Sequence, residues 1–191
     1  MTPELRTRRL ILSPYTPVLV QQKHVDWLND KELMQFSENR RFKHTQKTQL
    51  NYVGLESPDR LLWLIRCKSA YHGSGSIDIG TLSAYLNREN KNANMGILIG
   101  RREYHGQGLA AEAWTAVMDW MFKEGLHKVE CGCREDNQPM RRLAITTGMK
   151  LEAEIPGHFK VGNKYVGLCV YGRFKADDFM SEWEALNVKT I

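Results

Sequence analysis

The sequence has no apolar run approaching the roughly 20 residues that a bilayer-spanning helix requires, which excludes a membrane-embedded chain of helical type. Its opening residues, Met1 to Arg6, lack the apolar core of a secretory signal, so a cytoplasmic protein is expected. There is no internal repeat, no low-complexity tract and no Pro/Ser-rich linker across the 191 residues, and a single domain spanning 1–191 is the expectation. Cysteine is scarce: Cys67, Cys131, Cys133 and Cys169 have no Cys/His partners at zinc spacing, the six histidines are scattered, and no metal site is expected. Reduced cysteines packed in a core fit this pattern better than a disulfide framework. A long basic tract is also missing. The net charge of +5 is spread over short pairs, Arg40-Arg41, Arg101-Arg102 and Arg141-Arg142. With no helix-turn-helix signature and no basic surface interleaved with aromatics, nucleic acid is not an expected partner; these arginines suit solvated surface or small anions.

What is present alternates between strand and helix patterns. Residues 9–14 read as a first strand ended by Pro14, and residues 18–28 and 31–36 as short helices. Residues 44–55 read as a further helix with Thr45 as its N-cap. A buried strand is expected at 61–66, a turn at 71–76, a strand at 77–85, a turn at 87–92 and another strand at 93–99. The clearest helix covers 110–124, where apolar residues fall at 110, 113, 114, 117, 118, 121 and 122 on one wide face. Glu112 lies in its first turn, Lys123 in its last, and Gly125 just beyond as a C-cap. A strand at 128–133, a helix at 139–147 closed by Gly148, and strands at 150–155 and 165–174 complete the chain. Consecutive strands joined by short turns argue for antiparallel pairing, and the strand-helix-strand unit around residue 105 for one parallel crossover. The fold class is α/β with a mixed sheet.

The segment His105-Gly106-Gln107-Gly108-Leu109-Ala110 stands at the start of the clearest helix. Two glycines leave backbone N–H groups open to approach, and the helix dipole adds positive potential at the same end. A phosphate or pyrophosphate is the natural ligand. The run Gly106 to Ala111 also satisfies the dinucleotide pattern G-x-G-x-x-A, with Glu130 about twenty residues on. Residues 101–105 separate the glycine from its strand, however, and the repeated βαβ units of a doubly wound sheet are missing. A purely structural turn is the plainer alternative.

From Ile97 through Ala113 the sequence resembles the acetyl-CoA-binding segment of the GNAT N-acetyltransferase superfamily, most closely the branch containing RimJ and RimL. The family pattern Q/R-x-x-G-x-G/A falls on His105, Gly108 and Ala110. The likeness continues in Thr7-Arg-Arg-Leu-Ile-Leu12, in Asp136-Asn137 followed by Arg142 and Gly148-Met149, and in Lys164-Tyr165-Val166. It implies a mixed, mostly antiparallel central sheet with helices on both faces. Departures accompany it: His105 replaces Gln or Arg, Met140 a serine proposed as general acid, Asn94 a glutamate, and Gly167 a frequent aspartate.

The resemblance implies acetyl transfer from acetyl-CoA to an amine. The pyrophosphate is expected on the backbone N–H groups of Gln107, Gly108, Leu109 and Ala110, with His105 and Gly106 completing the loop. The pantetheine arm is expected to pair with backbone around Leu98 and Ile99, where the strands before and after the loop splay apart. Asn137 would contact the pantetheine or thiol end, or serve simply as a turn residue. Arg142 would reach a CoA phosphate, or be a surface arginine. The amine must be neutral to attack. An α-amine, with a pKa of about 7.7–8.0, is partly neutral unaided, whereas lysine at about 10.4 is not. Glu130 and Asp78 are the candidate bases and Tyr165 a candidate donor to the leaving thiolate; surface or structural roles compete for all three, a packed strand tyrosine for Tyr165. Glu112 reads as structural, and His158, placed in a loop between the last strands, as a possible acceptor contact.

Two acceptor classes stay open: a protein N-terminus, and a small-molecule amine such as a nucleotide-linked amino sugar. The second draws support from likeness of the segments at 27–30 and 36–40 to relatives in surface-sugar synthesis, with Arg40, Arg41 and Lys43 placed to meet phosphate. A homodimer is compatible with the sequence. A CoA-binding regulatory module with little catalysis is the alternative, motivated by the missing acid and base positions.

Overall fold

The computed structural model describes residues 1–55, 57–68 and 75–175. Eight strands form one sheet in the order β1-β2-β3-β4-β5-β6-β8-β7. They are β1 (Leu5–Arg6), β2 (Leu10–Pro14), β3 (Arg60–Cys67), β4 (Ile77–Asn87), β5 (Asn92–Ile99), β6 (Lys128–Arg134), β7 (Lys150–Val161) and β8 (Lys164–Phe174). Every neighbouring pair is antiparallel except β5 and β6. That parallel pair is joined through α3 (Leu109–Lys123), as the strand-helix-strand pattern predicts.

Helices cover both faces. On one, α3 and α4 (Gln138–Thr146) pack Ala113, Trp114, Val117, Met118, Met121 and Leu143 against alternate residues of β2 to β6 and β8. On the other, α1 (Gln22–Asn29) and α2 (Gln46–Gly54) enclose a small cluster of Tyr15, Val20, Val53, Leu62 and Leu64. The period-2 alternation of β3 serves both: Leu61, Trp63 and Ile65 face α3, while Leu62 and Leu64 face the other layer. All four cysteines are free and buried. Among the described residues, no helix is long and apolar enough to cross a membrane.

Several expectations are met closely. Thr45 caps α2, its hydroxyl accepting from the Thr48 N–H at 3.1 Å. Gly125 and Gly148, at φ of +93° and +79°, end α3 and α4 in the left-handed region. Others need correction. Pro17–Leu19 is a single 3-10 turn, and α1 begins only at Gln22, because Gln21 is extended and donates its N–H to the His24 ring at 3.3 Å. Residues 31–36 are consecutive turns, not a helix. The carboxylate of Asp30 accepts from the N–H groups of Glu32 and Leu33 at 2.9 and 3.0 Å, a local bond that competes with helix formation. His158 lies within β7 rather than in a loop, since the last two strands run on to a turn at Gly162. The expected turn at 71–76 falls mostly on 71–74, outside the described residues.

Candidate active site

The parallel pairing of β5 with β6 covers only Asn92–Asn94 against Lys128–Glu130. Beyond that vertex, β5 continues to Ile99 along β4, and β6 continues to Arg134 along β8. The sheet therefore divides into a V. Which peptide groups line it follows from register. The Gly100 N–H bonds the Ile79 carbonyl at 2.8 Å, so alternation turns Leu98 toward β4, and Ile97 and Ile99 toward β6. Ile97 with both its peptide groups and Ile99 with its N–H, rather than the expected Leu98, face the opening. The imidazole Nε2 of His105 lies 2.8 Å from the Ile99 carbonyl, closing the loop back on the strand.

The glycine loop sits at the wide end of the V. Gly106 and Gly108 have φ of +72° and +73°, and Gly108 is the N-cap of α3. Only glycine takes that conformation without strain. The first bond inside α3 runs from the Glu112 N–H to the Gly108 carbonyl at 3.1 Å, so the N–H groups of Leu109, Ala110 and Ala111 have no intrahelical acceptor and point out of the helix start. The Gln107 side chain donates to the Glu103 carbonyl at 2.6 Å, and Arg9 donates to the Gln107 carbonyl at 2.8 Å, so the loop is braced from both sides. Glu112 is structural, as read: it accepts from the Thr7 hydroxyl at 2.5 Å, the Arg9 N–H at 2.8 Å and the Arg9 guanidinium at 2.6 Å. Burial works to raise its pKa, but these bonds win and hold the carboxyl below its usual range.

The candidate acid and base residues are not gathered in one place. Glu130 stands at the vertex, in register with Asn94 and, beyond it, Tyr85. Its neighbours Val129 and Cys131 face the α3 core, so Glu130 faces the other side. Lys128 bridges it at 2.6 Å to Glu152 at 2.7 Å. Asp78 lies further across the sheet, buried beneath α1, with Lys23 at 2.8 Å, Arg66 at 3.1 Å and the His24 ring at 3.3 Å. Burial would raise its pKa, yet His24 and Lys23 hold it well below the carboxylate range. A carboxylate so stabilised as the anion is a poor proton acceptor, so this network favours a structural role for Asp78. His24 passes the network to the Tyr15 hydroxyl at 2.8 Å, and burial pushes that phenol up to about 12. Tyr165 is 68% exposed on the β7–β8 arm beyond the end of β6, not packed as its competing reading held.

On the other flank, Asn137 caps α4, its side-chain oxygen accepting from the Met140 N–H at 3.2 Å. Arg142 is exposed on that helix, next to the buried Leu143. Among the described residues, no group of three or more His, Cys, Asp or Glu is placed to hold a metal ion. Sequence reasoning passed over Lys128 and Arg134, which tie down the two ends of β6; the visible signal was Arg134 two residues before Asp136, the spacing of a turn-closing ion pair.

A mostly antiparallel sheet divided at its one parallel pair, with an anion-ready helix start at the mouth, defines a class of α/β protein whose sheet opens between two central strands. Residues 9–150 match the acetyltransferase (GNAT) domain family, and the chain belongs to that family. An N-acetyltransferase 9-like protein of Caenorhabditis briggsae is 19% identical over 167 residues, covering 78% of this chain and 83% of the relative. RimL, a ribosomal L7/L12 α-N-protein acetyltransferase solved with coenzyme A, shares the fold with a TM-score of 0.77 at 20% identity, over 92% of this chain and all (100%) of that one. The microcin C7 self-immunity acetyltransferase MccE, solved with acetyl-CoA and AMP, does so with a TM-score of 0.75 at 13% identity, over 88% of this chain and 94% of that one.

Proposed function

We propose that this chain is an acetyl-CoA-dependent N-acetyltransferase acting on a primary amine by direct attack in a ternary complex. The observation that carries it is the coincidence of two preformed features: a β5 edge beyond the β6 ladder that turns the peptide groups of Ile97 and the N–H of Ile99 to the opening, and a left-handed glycine loop opening onto the N-terminus of α3. Together they fit a long ligand with an amide-bearing arm and a pyrophosphate. On this reading Gly106 to Ala110 hold the pyrophosphate, Ile97 and Ile99 pair with the arm, and Asn137 and Arg142 flank it from α4. Acetyl-CoA supplies a thioester whose acetyl group passes to the neutral amine as the thiolate leaves. Glu130, at the vertex and facing away from α3, is the best-placed carboxylate to meet an incoming ammonium or take its proton through water.

The acceptor is either a protein N-terminus, the class that RimL acts on as an α-N-protein acetyltransferase, or a small-molecule amine. A cytoplasmic enzyme follows from this reading, as one domain over 1–191. The test is CoA release with acetyl-CoA against N-terminal peptides and against nucleotide-linked amino sugars. Turnover with either panel supports the proposal, and the panel that reacts names the acceptor class. In Glu130→Gln, kcat/KM is expected to fall roughly 10²-fold, the scale of a lost general base. Saturable acetyl-CoA binding without turnover on any amine would favour the binding-module alternative.

A further inference from the structure

Residues 30–36 leave α1 on one side of the V and reach β6 on the other. At the β5 end the attachment is steric and ionic. Trp27 packs so closely over Gly100 that a Cβ there would lie 2.0 Å from the indole ring. Arg102, three residues past the end of β5, grips both oxygens of Asp30 at 2.9 and 2.8 Å and also meets Glu32. At the β6 end the attachment is a buried guanidinium. Arg134 is 5% exposed, and one face of its fork is held by Asp136 at 2.9 and 2.5 Å. Its remaining nitrogen donates to the Gln35 carbonyl at 2.7 Å, and its Cζ lies over the Phe36 ring, 5.3 Å from the centroid. Between the two anchors Met34 is buried. The segment thus spans the V where the strands' own ladder has stopped at Asn94 and Glu130.

We propose that residues 30–36 are a strap that sets the width of the opening, and that Arg134 and Arg102 are positioning residues for acetyl-CoA. The inference rests on the acetyltransferase reading. Two strands with unpaired facing edges have no hydrogen bonds of their own to hold a fixed separation. A short strap pinned to both supplies one and leaves the slot preorganised for a ligand that lies between them and pairs with β5. The fork is essential to this role: a lysine at 134 cannot hold a carboxylate with two parallel bonds, donate to a carbonyl and stack on a ring at once.

The experiment is acetyl-CoA affinity by titration calorimetry on the full chain, with amide hydrogen exchange along residues 95–99 and 131–134. Arg134→Ala is expected to weaken acetyl-CoA about tenfold through lost preorganisation and to raise exchange on both strands, with Arg134→Lys losing most of the same affinity. Arg102→Ala, whose pair is exposed, loses less. The double variant binds no more weakly than Arg134→Ala alone, because one free end already releases the strap. Val53→Ala, in the small cluster under α2, provides a comparable loss of Tm with affinity expected within roughly twofold of the parent, as for an uncoupled site. Parent-like affinity in Arg134→Ala, an equal loss in Val53→Ala, or losses that multiply in the double variant would each overturn the strap. Failure of the unaltered protein to bind acetyl-CoA would overturn the acetyltransferase reading itself, and the strap with it.

Discussion

The two faces of the sheet are built from different materials. Under α3 and α4 lies a continuous apolar core, running from Leu10 on β2 to Tyr171 on β8 with Trp63, Trp114, Met118 and Met121 fully enclosed. Under α1 and α2 the apolar cluster is small, five buried residues with Val25, Trp27 and Met34 buried beside it, and polar groups are buried among them: His24, Gln49 and Asp78. Apolar burial is roughly proportional to area and indifferent to direction, so the α3 face suits a scaffold. Buried charges are costly unless paired, so the α1 face specifies geometry instead. Its ion pairs fix where α1 sits, and through Trp27 and residues 30–36 they fix what borders the V. Apolar burial is concentrated on the α3 face, which also carries the glycine loop, and buried ion pairs on the other, where they position the border of the V.

That contrast predicts how each face breaks. Met118→Ala, fully buried against the sheet, should cost about 2–5 kcal/mol, seen as a lower urea midpoint with unchanged acetyl-CoA affinity in the folded fraction. Asp78→Asn should cost less, about 1–3 kcal/mol, by removing the negative charge and one of the two acceptor oxygens that Lys23, His24 and Arg66 share. Its signature is pH-dependent. The folded pKa of Asp78 lies below that of an unfolded aspartate, about 3.9, so its stabilisation is complete above that pH and is lost as pH falls through it toward the folded value. The stability gap between parent and Asp78→Asn should therefore close on acidification; a gap constant from pH 7 to pH 2 would contradict the pairing. Smallest in stability is Gly108→Ala, at about 1–2 kcal/mol for forcing a side chain into the left-handed region. Calorimetry should show acetyl-CoA affinity falling further than this cost implies, since the strain sits on the N–H groups that bind.

Much of this was legible before any coordinates. The loop and α3 announce themselves because glycines, an apolar stripe and charge placement all agree over residues 106–125. Thr45 was readable as a cap for the same reason: a local bond determines a local structure. What escaped depended on distant partners. Residues 31–36 carry helix-compatible side chains, but Asp30 bends them and Arg134, a hundred residues away, holds them. Leu98 was named with Ile99 because both lie beside the loop; only the register with β4 shows that the peptide groups of Ile97, not Leu98, turn to the opening. Asp78 looked like a free strand carboxylate until its three partners, from α1 and β3, came into view.

The central claim is that the V between β5 and β6 binds acetyl-CoA through the glycine loop and the edges of β5. Amide hydrogen exchange with and without saturating acetyl-CoA tests it directly. Protection is predicted at Ile97 and Ile99 and at Leu109 to Ala111, with little change in β2 and β3; protection confined to other strands, or none at saturation, would contradict it.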